Sequence, residues 1–149
     1  MENFTPTKYS LMNVATGRVF DDTGWLLADP QYSGAPSLVR AIYEKKQLEL
    51  RGESYGLYTF ADWLPVNKIL QGSSATATYK SEKLAAHLGL DNLYIAFSGY
   101  FPEKGATMRT CSFKETEAYS ICARLNDEKR KEVIVVSSAG NTARAFAQV

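Results

Sequence analysis

Val133-Ile134-Val135-Val136-Ser137-Ser138-Ala139-Gly140-Asn141-Thr142-Ala143-Arg144-Ala145-Phe146 decides how this chain is read. Four β-branched residues in a row predict a buried strand. A loop of small residues follows, and Thr142 to Ala147 predicts a helix start. Strand, tight small-residue loop and helix together gather backbone N–H groups at the positive end of a helix dipole, where anions bind. The same stretch also suits a plain capped turn with Asn141 or Thr142 as N-cap, and both readings stay open.

Working back, Asn92-Leu93-Tyr94-Ile95-Ala96-Phe97 is a near-continuous apolar run that predicts a second strand buried on both faces. Between the two runs, Phe113 to Leu125 has helical spacing. Strands alternating with helices from about Leu93 onward predict an α/β fold. Further upstream, Tyr79 to Leu90 predicts a helix capped by Ser81 and stopped by Gly89. Ser37 to Tyr43 predicts the beginning of a short helix capped by Ser37. Residues 8–29 predict a small β unit. In it Tyr9 to Met12 and Arg18 to Phe20 flank a turn at Ala15-Thr16-Gly17, Trp25 to Leu27 is a third extended piece, and Tyr9, Leu11, Phe20 and Trp25 form the packing. The domain reading is a β-rich segment over 1–52 followed by a second region over 53–149.

Composition narrows the partners. The chain has 149 residues, 45% hydrophobic and 22% charged, which is an ordinary globular balance. Seventeen basic against sixteen acidic side chains leave a net charge of +1, so no overall field draws nucleic acid or an anionic membrane. No stretch approaches the roughly 20 apolar residues of a membrane helix, and residues 1–6 lack the pattern of a signal peptide. Two cysteines and one histidine without ligand spacing predict neither a disulfide framework nor a zinc site. A cytoplasmic location is expected.

The chemistry-bearing stretch is Thr110-Cys111-Ser112-Phe113-Lys114-Glu115. A lysine at a helix start is commonly solvated. Here its neighbours Cys111, Ser112 and Phe113 are types that are usually buried, and a lysine held in a cleft can form an imine. His87 near a helix end suits a dipole contact. Asp62 beside Trp63 and Pro65 suits a turn. Glu115 and Glu117 suit a helix N-terminus for structural reasons.

Ser112-Phe113-Lys114 followed by Ser137-Ser138-Ala139-Gly140-Asn141-Thr142 resembles the fold-type II pyridoxal-phosphate enzymes. Longer matching stretches narrow the resemblance to the threonine synthase family and, within it, to cysteate synthases. These are Tyr58 to Val66, Thr78 to Glu82, Leu88 to Phe97, Gly99 to Ala106 and Thr110 to Glu115. The resemblance implies an α/β fold that is an incomplete, tryptophan-synthase-β-like three-layer architecture preceded by a small β unit. It implies pyridoxal 5'-phosphate as cofactor, held by Lys114, with Asn141 at the cofactor's 3-hydroxyl. It implies that Ser138, Ala139, Gly140 and Thr142, with Ser112, lie at the substrate, the loop taking its carboxylate. The implied reaction replaces the phosphate of O-phospho-L-serine by sulfite to give L-cysteate, with Lys114 taking the α-proton. Threonine synthase acting on O-phosphohomoserine is the alternative, and an inactive fragment is an alternative of another class.

Two departures accompany the resemblance. Relatives often carry N-terminal cysteine pairs, and Tyr9 to Leu27 has none. Family members are also longer, so an N-terminal portion of a homo-oligomeric enzyme, without activity by itself, is expected.

Overall fold

A computed structural model describes residues 8–24, 26–125 and 133–149 of the chain. The first unit is a three-stranded antiparallel sheet in the order β2-β1-β3, with β1 at Tyr9–Asn13, β2 at Val19–Phe20 and β3 at Val39–Tyr43. Gly17 makes the β1–β2 turn possible, because its φ of 72° lies in the left-handed region that side chains resist. Its N–H donates to Asn13 O at 2.8 Å.

The helix expected to start at Ser37 is a strand instead. β3 pairs with β1 in a register that sets Tyr9 opposite Tyr43 and Asn13 opposite Val39. The Ser37 hydroxyl, expected as a helix cap, donates to Asn13 Oδ1 at 2.9 Å and accepts the Ala15 N–H at 3.1 Å. Val39, Ile42 and Tyr43 favour a pleated surface once a partner strand is available. Leu11 is buried as expected, and Tyr9 and Phe20 are half-buried. Leu26 and Leu27 form no strand, and Trp25 lies outside the described residues.

A 3-10 segment, Glu53–Trp63, follows; it bends at Gly56, where φ is 56° and ψ is −128°. The main core forms on it. Tyr58, Ala61 and Val66 pack with Tyr119 and Ala123 of α2, the helix at Lys114–Arg124. Leu57, Leu64, Ile69 and Leu70 surround them.

Next come β4 at Ala77–Lys80, α1 at Glu82–Leu88 and β5 at Tyr94–Phe97. The expected helix from Tyr79 therefore starts three residues later, because Tyr79 and Lys80 pair with β5. Gly89 ends α1 in the left-handed conformation, with φ of 68°, as expected. The strand at Asn92 to Phe97 is present as β5, but it is not buried on both faces. Its residues alternate between exposed and half-buried, and Tyr94 is 63% exposed. The β4–β5 pair is antiparallel and two-stranded, so one face meets solvent. A hairpin of β6, Tyr100–Phe101, and β7, Ala106–Thr107, turns through Pro102–Lys104 and Gly105.

The last element is α3, Asn141–Gln148, which packs with α2. Ala118 and Ala123 of α2 and Ala145 of α3 have no exposed surface. The buried strand expected at Val133 to Val136 is absent. Val133 is 88% and Val135 86% exposed, and no described strand pairs with them. A β-branched run becomes a strand only where its N–H and C=O groups meet a ladder. The chain is thus mixed α and β with several short antiparallel sheets.

Candidate active site

Lys114 is the first residue of α2, and its side chain is 32% exposed. Its ammonium pairs with the carboxylate of Glu117, one turn along the helix. Nζ also lies 5.3 Å from the centroid of the Phe113 ring. The Lys114 N–H donates to Ser112 Oγ at 3.3 Å. Ser112 and Thr110 are buried, at 6% and 5% exposed. Cys111 and Phe113 are exposed, contrary to the burial their types suggest. The lysine therefore stands at a surface rim rather than in a closed cleft. Cys111 adopts φ of 53°, an uncommon conformation for a residue with a side chain.

The loop after Val136 is exposed through Asn141. Ser138 Oγ accepts the Gly140 N–H at 3.3 Å, and the Gly140 carbonyl accepts the Arg144 N–H at 3.2 Å. Gly140, not Asn141 or Thr142, occupies the N-cap position of α3, and no side chain caps it. Asn141 is the first residue of the helix; Ala139 is exposed and Thr142 half-buried. Helices α2 and α3 bring the two motifs onto one packed pair. No hydrogen bond or ion pair among the described residues joins Lys114 to residues 138–142.

A separate cleft of about 650 Å³ lies between the Ser73–Thr78 run and the β6–β7 hairpin. Gly56, Thr59, Ser74, Thr78, Lys104 and Thr107 contribute to its lining, while Lys114 and residues 138–142 do not.

Three charged residues hold positions that local sequence did not reveal. Asp62, which suits a turn by sequence, is fully buried and receives Lys45 Nζ at 3.1 Å and Arg51 Nη2 at 3.3 Å. Glu115 is 1% exposed and accepts the Thr110 N–H at 2.7 Å. Arg124, at the end of α2, reaches Asp22. Nothing local could signal the last pair, since its partners are 102 residues apart. For Glu115 the available signal was its position directly after the lysine in a helix first turn.

A cysteate synthase of Methanothrix thermoacetophila is 54% identical over 113 residues, which is 75% of this chain and 27% of that protein. One of Methanosarcina acetivorans is 54% identical over 113 residues, 76% of this chain and 27% of that protein. One of Methanoculleus marisnigri is 44% identical over 142 residues, 95% of this chain and 32% of that protein. The chain is cysteate synthase-like. A match over 142 of 149 residues takes in Lys114 and most or all of the 138–142 loop. The chain spans a third or less of the length of the curated relatives it matches, between 26% and 33%. No family model and no solved structure matches it.

Residues of the cysteate synthase-like chain suit pyridoxal phosphate in two respects. Lys114 has a partly accessible primary amine, the group an aldehyde needs. The 137–142 loop carries no acidic side chain and exposes small residues at a helix start, which suits an anion. Among the described residues, no cluster of three His, Cys, Asp or Glu side chains could hold a metal ion. No described helix is long and apolar enough to cross a membrane.

Proposed function

We propose that the whole protein carrying this segment is a pyridoxal-phosphate-dependent synthase that replaces the phosphate of O-phospho-L-serine with sulfite, giving L-cysteate and phosphate. Supporting this reading is the 54% identity to cysteate synthases over three quarters of the chain. The proposed architecture is the fold-type II three-layer arrangement, with residues 1–52 as a β-rich lead and 53–149 as the first part of the catalytic region.

Pyridoxal phosphate supplies an electron sink for the negative charge that develops at the substrate Cα. Lys114 would hold it through the side-chain amine, and the Asn141 carboxamide would meet its 3-hydroxyl. The same amine, once released, would take the proton from Cα. The small loop of Ser138, Ala139, Gly140 and Thr142 would bind the substrate carboxylate by backbone N–H groups, with Ser112 beside it. Either act of Lys114 would require its ammonium to leave Glu117 and give up a proton, since the pair holds it in the charged form.

Two experiments test this reading. Pyridoxal phosphate added to the 149-residue chain should give a visible absorbance band that Lys114→Ala abolishes. In a full-length protein containing this segment, O-phospho-L-serine with sulfite should yield L-cysteate and phosphate. Threonine formed from O-phosphohomoserine, without any sulfite-dependent product, would overturn the assignment in favour of threonine synthase chemistry.

A further inference from the structure

A carboxylate buried almost completely stands directly after Lys114. Glu115 is 1% exposed, and a buried charge persists only where it is paired or hydrogen-bonded. Its Oε2 accepts the Thr110 N–H at 2.7 Å, a charge-assisted length. That bond reaches back five residues and closes the turn preceding α2. Two further contacts lock the same turn. Cys111 N–H donates to Met108 O at 3.2 Å, and Glu115 N–H donates to Ser112 O at 3.0 Å. The N-cap residue Phe113 offers no side-chain oxygen and makes no side-chain cap bond, while Ser112 Oγ accepts the Lys114 N–H at 3.3 Å. Glu115 thus joins helix and turn from inside the first turn, as the acidic member of a capping box does. Cys111 keeps its left-handed φ of 53° within this closed turn.

We propose that Glu115 is a positioning residue for Lys114. Its buried carboxylate holds the Thr110–Ser112 turn so that Lys114 starts α2 with its amine directed at an aldehyde-bearing ligand. This rests on the reading of Lys114 as the lysine that binds pyridoxal phosphate. It deepens that reading by assigning a residue that never touches the ligand.

The test labels the 149-residue chain with pyridoxal phosphate, fixes the adduct with borohydride and locates labelled lysines by peptide mass. Wild type should label at Lys114. Glu115→Gln keeps an acceptor oxygen and should label Lys114 within about two-fold of wild type. Glu115→Ala should label it about ten-fold less, because a mis-set reactive group loses the benefit of orientation. Labelling of Lys80 and Lys104 serves as the internal reference and should not change. Equal Lys114 labelling in wild type and Glu115→Ala would overturn the positioning role while leaving the lysine's role intact. Absence of Lys114 labelling in wild type would overturn the lysine's role itself. If Glu115→Ala does not fold, hydrogen exchange of the wild-type Thr110 amide decides. Protection of about a hundred-fold or more supports the closing bond. Exchange at the rate of an exposed loop amide overturns it.

Discussion

Arg124 Nε donates to Asp22 Oδ2 at 2.6 Å, and through this pair the end of α2 is fastened to the N-terminal β unit. The Tyr9 hydroxyl donates to the same carboxylate oxygen at 2.7 Å, and Arg124 Nη2 donates to Leu26 O at 2.7 Å. The Asp22 side chain is 2% exposed and that of Arg124 18%. Burial alone pushes the Asp22 carboxyl up, but the hydrogen bonds from Arg124 and Tyr9 outweigh it and hold the group below its ordinary range. Tyr9 is pushed well up by burial and by its bond to Asp22.

Asp22→Ala should therefore cost roughly 3 kcal/mol, since it strands a largely buried guanidinium. The urea unfolding midpoint should fall with little change in slope. The pH dependence has a definite sign. A carboxyl depressed by folding stabilises fully above its unfolded value of about 4 and loses that contribution as pH falls through the folded value. Wild-type stability should decline below about pH 4 by more than that of Asp22→Asn. An unchanged midpoint in Asp22→Ala would remove the coupling between β unit and α2.

Tyr58 gives a prediction at the other end of the pH scale. It has no exposed surface, and its hydroxyl donates to Tyr119 O at 3.2 Å. Burial pushes the phenol up to about 12. A raised folded value means stability that is complete below the unfolded value of about 10 and lost as pH rises beyond it. Tyr58→Phe should cost about 1 kcal/mol at neutral pH by deleting the bond. It should also flatten part of the alkaline decline, read from thermal melts between about pH 10 and 12.

Gly56→Ala should be among the most damaging small substitutions. At φ of 56° and ψ of −128° only glycine sits without strain, and an added Cβ would lie 2.1 Å from the Ser73 carbonyl oxygen. Backbone, not a flexible side-chain tip, would have to move. A loss of roughly 2 kcal/mol or more is expected, measured by chemical denaturation. Gly17→Ala is the control, because an added Cβ there meets nothing within 4 Å and only the backbone cost remains.

Lys114→Ala should leave stability within about 0.5 kcal/mol of wild type, because it removes only a partly exposed helix-surface pair with Glu117. Loss of the pyridoxal-phosphate absorbance in this variant would then report the missing amine and not unfolding. A large drop in melting temperature would contradict the surface placement of the side chain.

Local signals in the chain that are backbone chemistry translate directly into structure. Gly17 at the β1–β2 turn, Gly89 at the end of α1 and the helical spacing behind Lys114 all appear in the structure where the residues indicate. The Ser112-Phe113-Lys114 stretch and the loop before α3 are legible as candidates, but neither their exposure nor the burial of Glu115 is. Within Ser37 to Tyr43 a strand forms where a helix start is expected, because a seven-residue stretch with a possible cap fits a helix or a strand equally. The tie is broken by β1, whose edge lies almost thirty residues earlier. Val133 to Val136 shows the converse: its composition suits a strand, and no described strand pairs with it.

The sequence by itself determined where the backbone can turn and stop, and which residues could carry chemistry. Those properties belong to single residues and their immediate neighbours: a missing Cβ, a small loop, an amine at a helix start. Only the tertiary structure decided which apolar runs are buried and which charges are paired. Burial and pairing depend on partners such as β1 for β3, Tyr119 for Tyr58 and Asp22 for Arg124, brought in from distant parts of the chain. The interaction free energy of such pairs exists only once folding has placed both members together.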